Sequence, residues 1–211
     1  KNNKIFLAGH NGMVGSAILK KLKSLGYKNV ICVSKKKLNL LDQRKVENFL
    51  KKKKPKVVII AAARVGGILA NNNNKASFLY ENLTIQTNII HSSFLAGVKN
   101  LIFLGSSCIY PKKTKQPIKE SFFMTGPLEN TNDAYAIAKI TGVKMCMEYS
   151  KQYKLNYKTL MPANMFGSND NYDLKSSHFF PALINKIHNA KIKKKKIIIL
   201  WGNGKPKREL L

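Results

Sequence analysis

The chain has 211 residues, of which 44% are hydrophobic, and this is enough for one substantial core and the beginning of a second lobe. The formal net charge of +28 is nearly all lysine excess, and runs such as 51–54 and 193–196 precede apolar segments, which favours solvated surface over a nucleic-acid partner. Three cysteines, the lack of an apolar run that could cross a bilayer and the lack of a signal-peptide pattern predict a cytoplasmic protein without disulfides and without a membrane partner.

Strand-like and helix-like patterns alternate along the chain, which predicts an α/β fold with a doubly wound parallel sheet and helices on both faces. We expect strands at 4–8, 30–33, 57–61, 101–104 and 158–161 and helices at 13–25, 42–52, 75–96 and 133–153. Residues 169–211, with a helix near 179–190 and a strand at 197–200, are expected to begin a separate lobe. Because the chain starts without Met and stops soon after that last strand, we expect it to be incomplete.

A glycine-rich loop follows the first strand and opens the first helix. Its spacing, G-x-x-G-x-x-G, lets the turn close and lets backbone N–H groups reach a pyrophosphate at the helix N-terminus. Residues 1–168 are therefore predicted to form a dinucleotide-binding domain, the alternative being a glycine-rich turn without a ligand. The candidate cofactor contacts in this loop are Gly9, His10, Asn11, Gly12, Met13, Val14 and Gly15.

The end of the second strand indicates which dinucleotide is bound. An NAD enzyme usually places an acidic residue there for the ribose hydroxyls, whereas this chain has Ser34 followed by three lysines and no acid until Asp42. A carboxylate would repel a 2′-phosphate and lysines attract one. We therefore predict NADP as the cofactor, with Lys35 as a contact.

Tyr135 and Lys139 stand four residues apart on a predicted helix and share one of its faces. We expect the Lys139 ammonium to lower the pKa of the Tyr135 phenol towards a useful range. A nearby serine, Ser106, can hold a carbonyl oxygen for that phenol to protonate. Together with the nucleotide loop, these are the working parts of a reductase of the short-chain dehydrogenase type.

Several stretches together resemble the GDP-L-fucose synthase family of extended short-chain dehydrogenases. The most specific stretch is GSSCIYP at 105–111, which follows the fourth strand. The others are AGHNGMVGSA at 8–17, LNLLD at 38–42, AAARVGGI at 61–68, YAIAK at 135–139, MPAN at 161–164, WGNG at 201–204 and RE at 208–209.

The resemblance implies a Rossmann domain that binds NADP and a GDP-sugar substrate. It implies conversion of GDP-4-keto-6-deoxy-D-mannose to GDP-L-fucose by 3,5-epimerisation followed by NADPH-dependent reduction at C4. Ser106, Tyr135 and Lys139 would be the reductase triad, and Cys108 with His178 would carry out epimerisation. The chemistry agrees, since a thiol in a positive field can act as a base and a histidine titrates near neutrality.

By the same resemblance, further residues would contact the ligands. Lys186, which stands where the family often has Arg, would bind the GDP-sugar together with Trp201 and Arg208. The two long helices would form a homodimer through a four-helix bundle, although core packing explains their apolar stripe equally well. The remaining cofactor contacts would be Leu104, Gly105, Ser106, Ser107, Lys139, Pro162, Ala163, Asn164, Met165 and His178.

Several alternatives remain at this stage. Another extended short-chain enzyme, a nucleotide-sugar 4-epimerase or 4,6-dehydratase, would share most of these motifs, but a dehydratase usually carries an acidic pair where Ser107 and Cys108 stand. A non-catalytic NADP-binding or nucleic-acid-binding protein would not need an intact Ser–Tyr–Lys set. Cys108 could be a small buried hydrophobe and His178 a solvated loop residue. We predict no metal site.

Overall fold

A computed structural model describes residues 1–200, 202–205, 207 and 209–211, so Trp201 and Arg208 of the predicted substrate site lie outside the described residues. Its sheet has five parallel strands in the order β2-β1-β3-β4-β5. The α/β doubly wound prediction is confirmed. The strands are β1 (Ile5–Ala8), β2 (Val30–Ile31), β3 (Val57–Ile60), β4 (Asn100–Leu104) and β5 (Asn156–Leu160).

The helices follow the predicted alternation. Asp42 caps the second helix as expected, because its side chain accepts a hydrogen bond from the Lys45 N–H at 3.1 Å. Two short 3-10 turns, Ser107–Ile109 and Glu120–Phe122, lie between the fourth strand and the helix Asp133–Tyr153. The helices are α1 (Met13–Ser24), α2 (Gln43–Lys53), α3 (Ile68–Asn73), α4 (Lys75–Leu95), α5 (Asp133–Tyr153) and α6 (Phe179–Ile192).

Successive strand residues point to opposite sides of the sheet, and helices cover the apolar side chains on both sides. On one face, Phe6, Ile60 and Phe103 pack against α2, α4 and α5 in the larger apolar core. On the other, Leu7 and Ile59 pack against α1. The predicted apolar stripe of α4 belongs largely to this core, since Phe78, Ile89 and Ile90 are buried. No helix among the described residues is long and apolar enough to cross a membrane.

The structure differs from the predicted elements in two places. Residues 197–200 form no ladder with any described strand, and the side chains of Ile197 and Ile199 are 79% and 80% exposed. An apolar run without a neighbouring strand has no partner for its backbone groups, so the pattern alone does not make a strand. The second error is α3, which was not expected because its three asparagines are weak helix formers.

The parallel arrangement brings the functional loops to one edge. The glycine loop follows β1, residues 61–67 follow β3, residues 105–109 follow β4 and residues 161–165 follow β5. All four therefore leave the sheet at its carboxyl edge, where ligands of open α/β sheets bind. α5 comes close to this edge because Gly142 lets it pack directly onto the Phe103 ring, where an added Cβ would lie 2.5 Å from a ring atom.

Candidate active site

The glycine loop forms a tight cradle at the start of α1. Gly9 has φ +87, and a Cβ built on it would lie 2.6 Å from the Ala62 nitrogen. A Cβ on Gly15 would lie 2.0 Å from the Gly9 carbonyl oxygen. Gly12 is the N-cap residue of α1, and among the described residues no side chain makes a capping hydrogen bond there. The first N–H groups of α1 are thus left for an anionic ligand, and the cradle fits the pyrophosphate of a dinucleotide.

The turn after β2 carries lysine but no free carboxylate. Residues 34–38 turn back through hydrogen bonds from the Lys37 and Leu38 N–H groups to the Ser34 carbonyl, both at 3.0 Å. Lys35 is exposed in this turn. Asp42, the first acid in sequence, caps α2 and lies 3.0 Å from the Lys45 ammonium. It is engaged there, so this turn offers positive charge to a ribose substituent.

Ser106, Cys108, Tyr135 and Lys139 form one cluster at the end of β4. The Cys108 N–H donates to the Ser106 hydroxyl at 3.4 Å, which places both side chains on the Ser107–Ile109 turn that packs against α5. The Lys139 ammonium donates to the Leu104 carbonyl at 2.8 Å. It also lies 5.7 Å from the centre of the Tyr135 ring. The arrangement arises because Tyr135 and Lys139 are four residues apart on α5, while Ser106 and Cys108 follow the end of β4.

Burial dominates the electrostatics of the cluster. It lowers the pKa of Lys139 to about 8, although the Cys108 charge acts in the opposite direction. Burial raises the pKa of Tyr135 well above its ordinary value, and the Cys108 charge raises it further. The expectation of a lowered Tyr135 pKa is therefore wrong, because desolvation disfavours the phenolate. The phenol keeps its proton at neutral pH. Because the Cys108 charge affects the pKa of Tyr135, the thiol and the phenol lie close enough to influence each other.

The Cys108 thiol is subject to opposed effects. Burial raises its pKa, while a hydrogen bond with Ser106 and the Lys139 ammonium lower it, and burial prevails. Cys108 is partly buried and has no disulfide partner. The thiol is therefore protonated at neutral pH, with two neighbours that stabilise the thiolate once it forms.

His178 lies at the N-terminus of α6, against the turn after β3. The Gly67 N–H donates to the Ser176 carbonyl at 2.9 Å, and a Cβ on Gly67 would lie 3.7 Å from the His178 Cα. The ring is at the surface, where partial desolvation lowers its pKa and Asp170 opposes that effect. The contact to Gly67 was not expected from sequence, although the glycine pair was visible within the 61–68 stretch.

The segment after β5 lies beside the segment after β4. The Gly105 N–H donates to the Leu160 carbonyl at 2.8 Å, and the Ser107 N–H donates to the Pro162 carbonyl at 3.3 Å. The predicted cofactor contacts at 104–107 and 162–165 thus border one another. Further along, the Asn164 side chain donates to the Glu209 carbonyl at 3.1 Å.

The predicted substrate contacts are only partly described. Lys186 lies on α6, and its ammonium donates to the Ile199 carbonyl at 3.0 Å. Within the described part of the chain, no group of three His, Cys, Asp or Glu side chains is placed to hold a metal ion.

A family model described as the NAD dependent epimerase/dehydratase family matches residues 5–211. The chain belongs to this family. Over 208 residues and 99% of its length it is 53% identical to a GDP-L-fucose synthase of Sinorhizobium fredii, and over the same share it is 46% identical to a GDP-L-fucose synthase of Escherichia coli. It spans 66% and 65% of the lengths of these two proteins.

A solved structure extends the comparison. A GDP-L-fucose synthetase from Naegleria fowleri bound to NADP superimposes with a TM-score of 0.88 at 30% identity. The match covers 99% of this chain and 68% of that one.

Proposed function

We propose that this chain carries out the two-step conversion of GDP-4-keto-6-deoxy-D-mannose to GDP-L-fucose with NADPH. One observation carries the proposal: a thiol, Cys108, lies in the same cluster as the Ser106, Tyr135 and Lys139 set at the carboxyl edge of the sheet. A simple reductase or 4-epimerase has no use for that thiol. The similarity to GDP-L-fucose synthases over nearly the whole chain agrees with it.

NADP is the proposed cofactor. The cradle of Gly9, Gly12 and Gly15 fits its pyrophosphate, and the exposed Lys35 turn suits its 2′-phosphate. The NADP in the Naegleria fowleri relative supports the same choice. The other residues proposed to hold it lie at 104–107 and 162–165, with Lys139 and His178.

The proposed epimerisation uses the acidity that a C4 ketone gives to the hydrogens at C3 and C5. The thiolate form of Cys108, which the Ser106 hydroxyl and the Lys139 ammonium stabilise, removes a proton and becomes the thiol. His178 returns a proton to the opposite face of the sugar ring. Each carbon thus loses one hydrogen and gains another, and the electron pair resides on the enolate oxygen in between.

The proposed reduction relies on the proton that Tyr135 keeps. When bound, NADPH supplies the hydride equivalent for C4. Tyr135 gives its proton to the C4 oxygen while Ser106 holds that oxygen, and Lys139 stays close to the resulting phenolate. The raised pKa keeps Tyr135 protonated at neutral pH, which is the form that a proton donor needs.

Replacing Cys108 tests this assignment. We expect the purified chain to oxidise NADPH with GDP-4-keto-6-deoxy-D-mannose, and to incorporate solvent deuterium at C3 and C5 without NADPH. Cys108→Ser should slow that incorporation by about 10²-fold or more while leaving NADPH binding unchanged. Cys32→Ser is the control. A wild-type chain without incorporation at C3 and C5 would indicate a simple 4-epimerase or reductase instead, and incorporation that Cys108→Ser leaves unaffected would show that Cys108 is not the base.

We also propose how the rest of the molecule serves this reaction. Residues 1–168 would form the NADP-binding domain, and residues 169–211, with Lys186, Trp201 and Arg208, would begin the lobe that binds the GDP-sugar. α4 and α5 would form a homodimer through a four-helix bundle. The sparse, unpaired cysteines suit a cytoplasmic location.

A further inference from the structure

The turn after β3 is packed directly onto the segment that precedes α6. The Gly67 N–H donates to the Ser176 carbonyl at 2.9 Å. There is no room for a side chain, because a Cβ on Gly67 would lie 2.1 Å from the Ser177 carbonyl oxygen. Since the clash is with backbone, any side chain at position 67 must push the segment 176–178 away. Gly67 has an ordinary extended φ of −67, so the close approach, and not the backbone conformation, requires glycine here.

The turn itself is held from behind by a buried asparagine. The Asn71 side chain donates to the Gly66 carbonyl at 2.6 Å and to the Gly67 carbonyl at 3.1 Å, and only 7% of Asn71 is exposed. Further back, the Asn82 side chain donates to the Arg64 carbonyl and accepts from the Arg64 N–H, both at 2.9 Å. Side chains from α3 and α4 thus fix the course of residues 64–67.

The segment on the other side of the contact is also ordered. The Asp173 carboxylate accepts from the Ser176 hydroxyl at 2.8 Å and from its N–H at 3.0 Å. The Ser177 N–H donates to the Asp173 carbonyl at 2.8 Å. His178 follows immediately and caps α6. Two rigid segments therefore meet at a backbone contact one residue from the position of His178.

We propose that Gly67 and Asn71 are positioning residues for His178, and we call their contact with 176–177 the glycine latch. The latch ties the imidazole to the turn after β3, next to the strand whose end carries Ser106 and Cys108. This role rests on the proposed function, in which His178 returns a proton to the sugar. Neither residue touches the reacting atoms, so the proposal adds to that function two residues that act only by positioning His178.

The position of His178 can be tested without turnover. In two-dimensional carbon–proton NMR spectra of the histidine rings, the His178 signal is the one that His178→Asn removes. We expect Gly67→Ala to shift this signal and to raise the pKa that it reports, because the displaced ring is less desolvated. The signals of His10, His91 and His188 should not move. Lys175→Ala, which changes an exposed side chain in the same loop, is the matched control. An unmoved His178 signal would overturn the latch.

The effect on proton transfer is tested by solvent exchange at C3 and C5. Gly67→Ala should slow exchange by about 10²-fold, as expected for a misplaced catalytic group, with NADPH binding unchanged. In the double variant with His178→Asn, the Gly67→Ala change should cause no further loss. Additive losses, or a shifted signal with normal exchange, would overturn the positioning role.

The outcomes separate the two proposals. A shifted His178 signal in a chain that shows no exchange even as wild type would refute the function and leave the structural latch standing. Should Gly67→Ala fail to fold, Asn71→Ala removes both side-chain hydrogen bonds and leaves the close backbone contact in place. It should shift the same signal by a smaller amount, and an unmoved signal in this variant would overturn the proposal.

Discussion

Cys108 lies where two opposite electrostatic effects act on one thiol. Partial burial disfavours the thiolate, while the Ser106 hydroxyl and the Lys139 ammonium favour it, and burial is the larger effect. Cys108 is therefore protonated at neutral pH, and the cation beside it stabilises the thiolate once it forms.

The alkylation rate of Cys108 should therefore depend on pH in a defined way. With the pKa of this thiol raised, the rate should climb at a higher pH than for free cysteine, whose pKa is about 8.5. The measurement is iodoacetamide labelling of the ligand-free chain from neutral to alkaline pH, with the Cys108 peptide quantified by mass spectrometry. Lys139→Met should move the midpoint higher still, because it removes a cation that favours the thiolate. A midpoint at or below that of N-acetylcysteine would contradict the prediction.

At the scale of elements, the sequence predicts most of what regular patterns encode. Five of the six predicted strands and all five predicted helices are present, since apolar runs and helical spacing are local signals, whereas the strand expected at 197–200 is absent. The Ser106, Cys108, Tyr135 and Lys139 cluster was also predictable, because strand ends and an i, i+4 pair place these residues. The Gly67–Ser176 contact was not, since it joins two loops without periodicity. Nor was α3, whose asparagine-rich sequence is held partly by the Asn71 side chain.

The packing of α5 on β4 leads to a prediction for Gly142. An added Cβ at Gly142 would lie 2.5 Å from the Phe103 ring and 2.9 Å from the Gln86 side-chain oxygen. Alanine is the better helix former by about 1 kcal/mol, but overpacking a core costs about 1–3 kcal/mol. Gly142→Ala should therefore fail to stabilise the protein and should lower its Tm, with Lys151→Ala on the exposed end of α5 as control. A raised Tm, measured by thermal unfolding, would mean that the contact relaxes freely.

Across the whole molecule, exposed lysines also gather at the edge of the sheet opposite the candidate active site. The amino-terminal edge carries six exposed lysines in two shallow depressions, and the carboxyl edge carries the glycine loop and the Cys108 cluster. α2 ends at the lysine edge with three lysines in its last turn. Positive side chains there offset the partial negative charge of helix C-termini. The lysines of this helix end thus have a local role that does not require a polyanionic partner.

The proposed dimer depends on the outward faces of α4 and α5. The two helices run side by side in a constant register, because Thr87 contacts Met145 and His91 contacts Tyr149, each pair 58 residues apart. The same register puts Ile137 level with Leu79, the neighbour of Tyr80, and the side chains of Tyr80 and Ile137 are 65% and 46% exposed.

A charge on the outward face of these helices should therefore disrupt the association of two chains. Ile137→Glu would bury an unpaired carboxylate in a four-helix interface, which is strongly unfavourable. We expect the wild-type chain to sediment as a dimer and Ile137→Glu as a monomer with an unchanged circular dichroism spectrum. Ile192→Glu, at a 64% exposed position on α6, should remain dimeric. A wild-type monomer, or an Ile137→Glu dimer, would show that the exposed apolar residues of α4 and α5 do not form the interface.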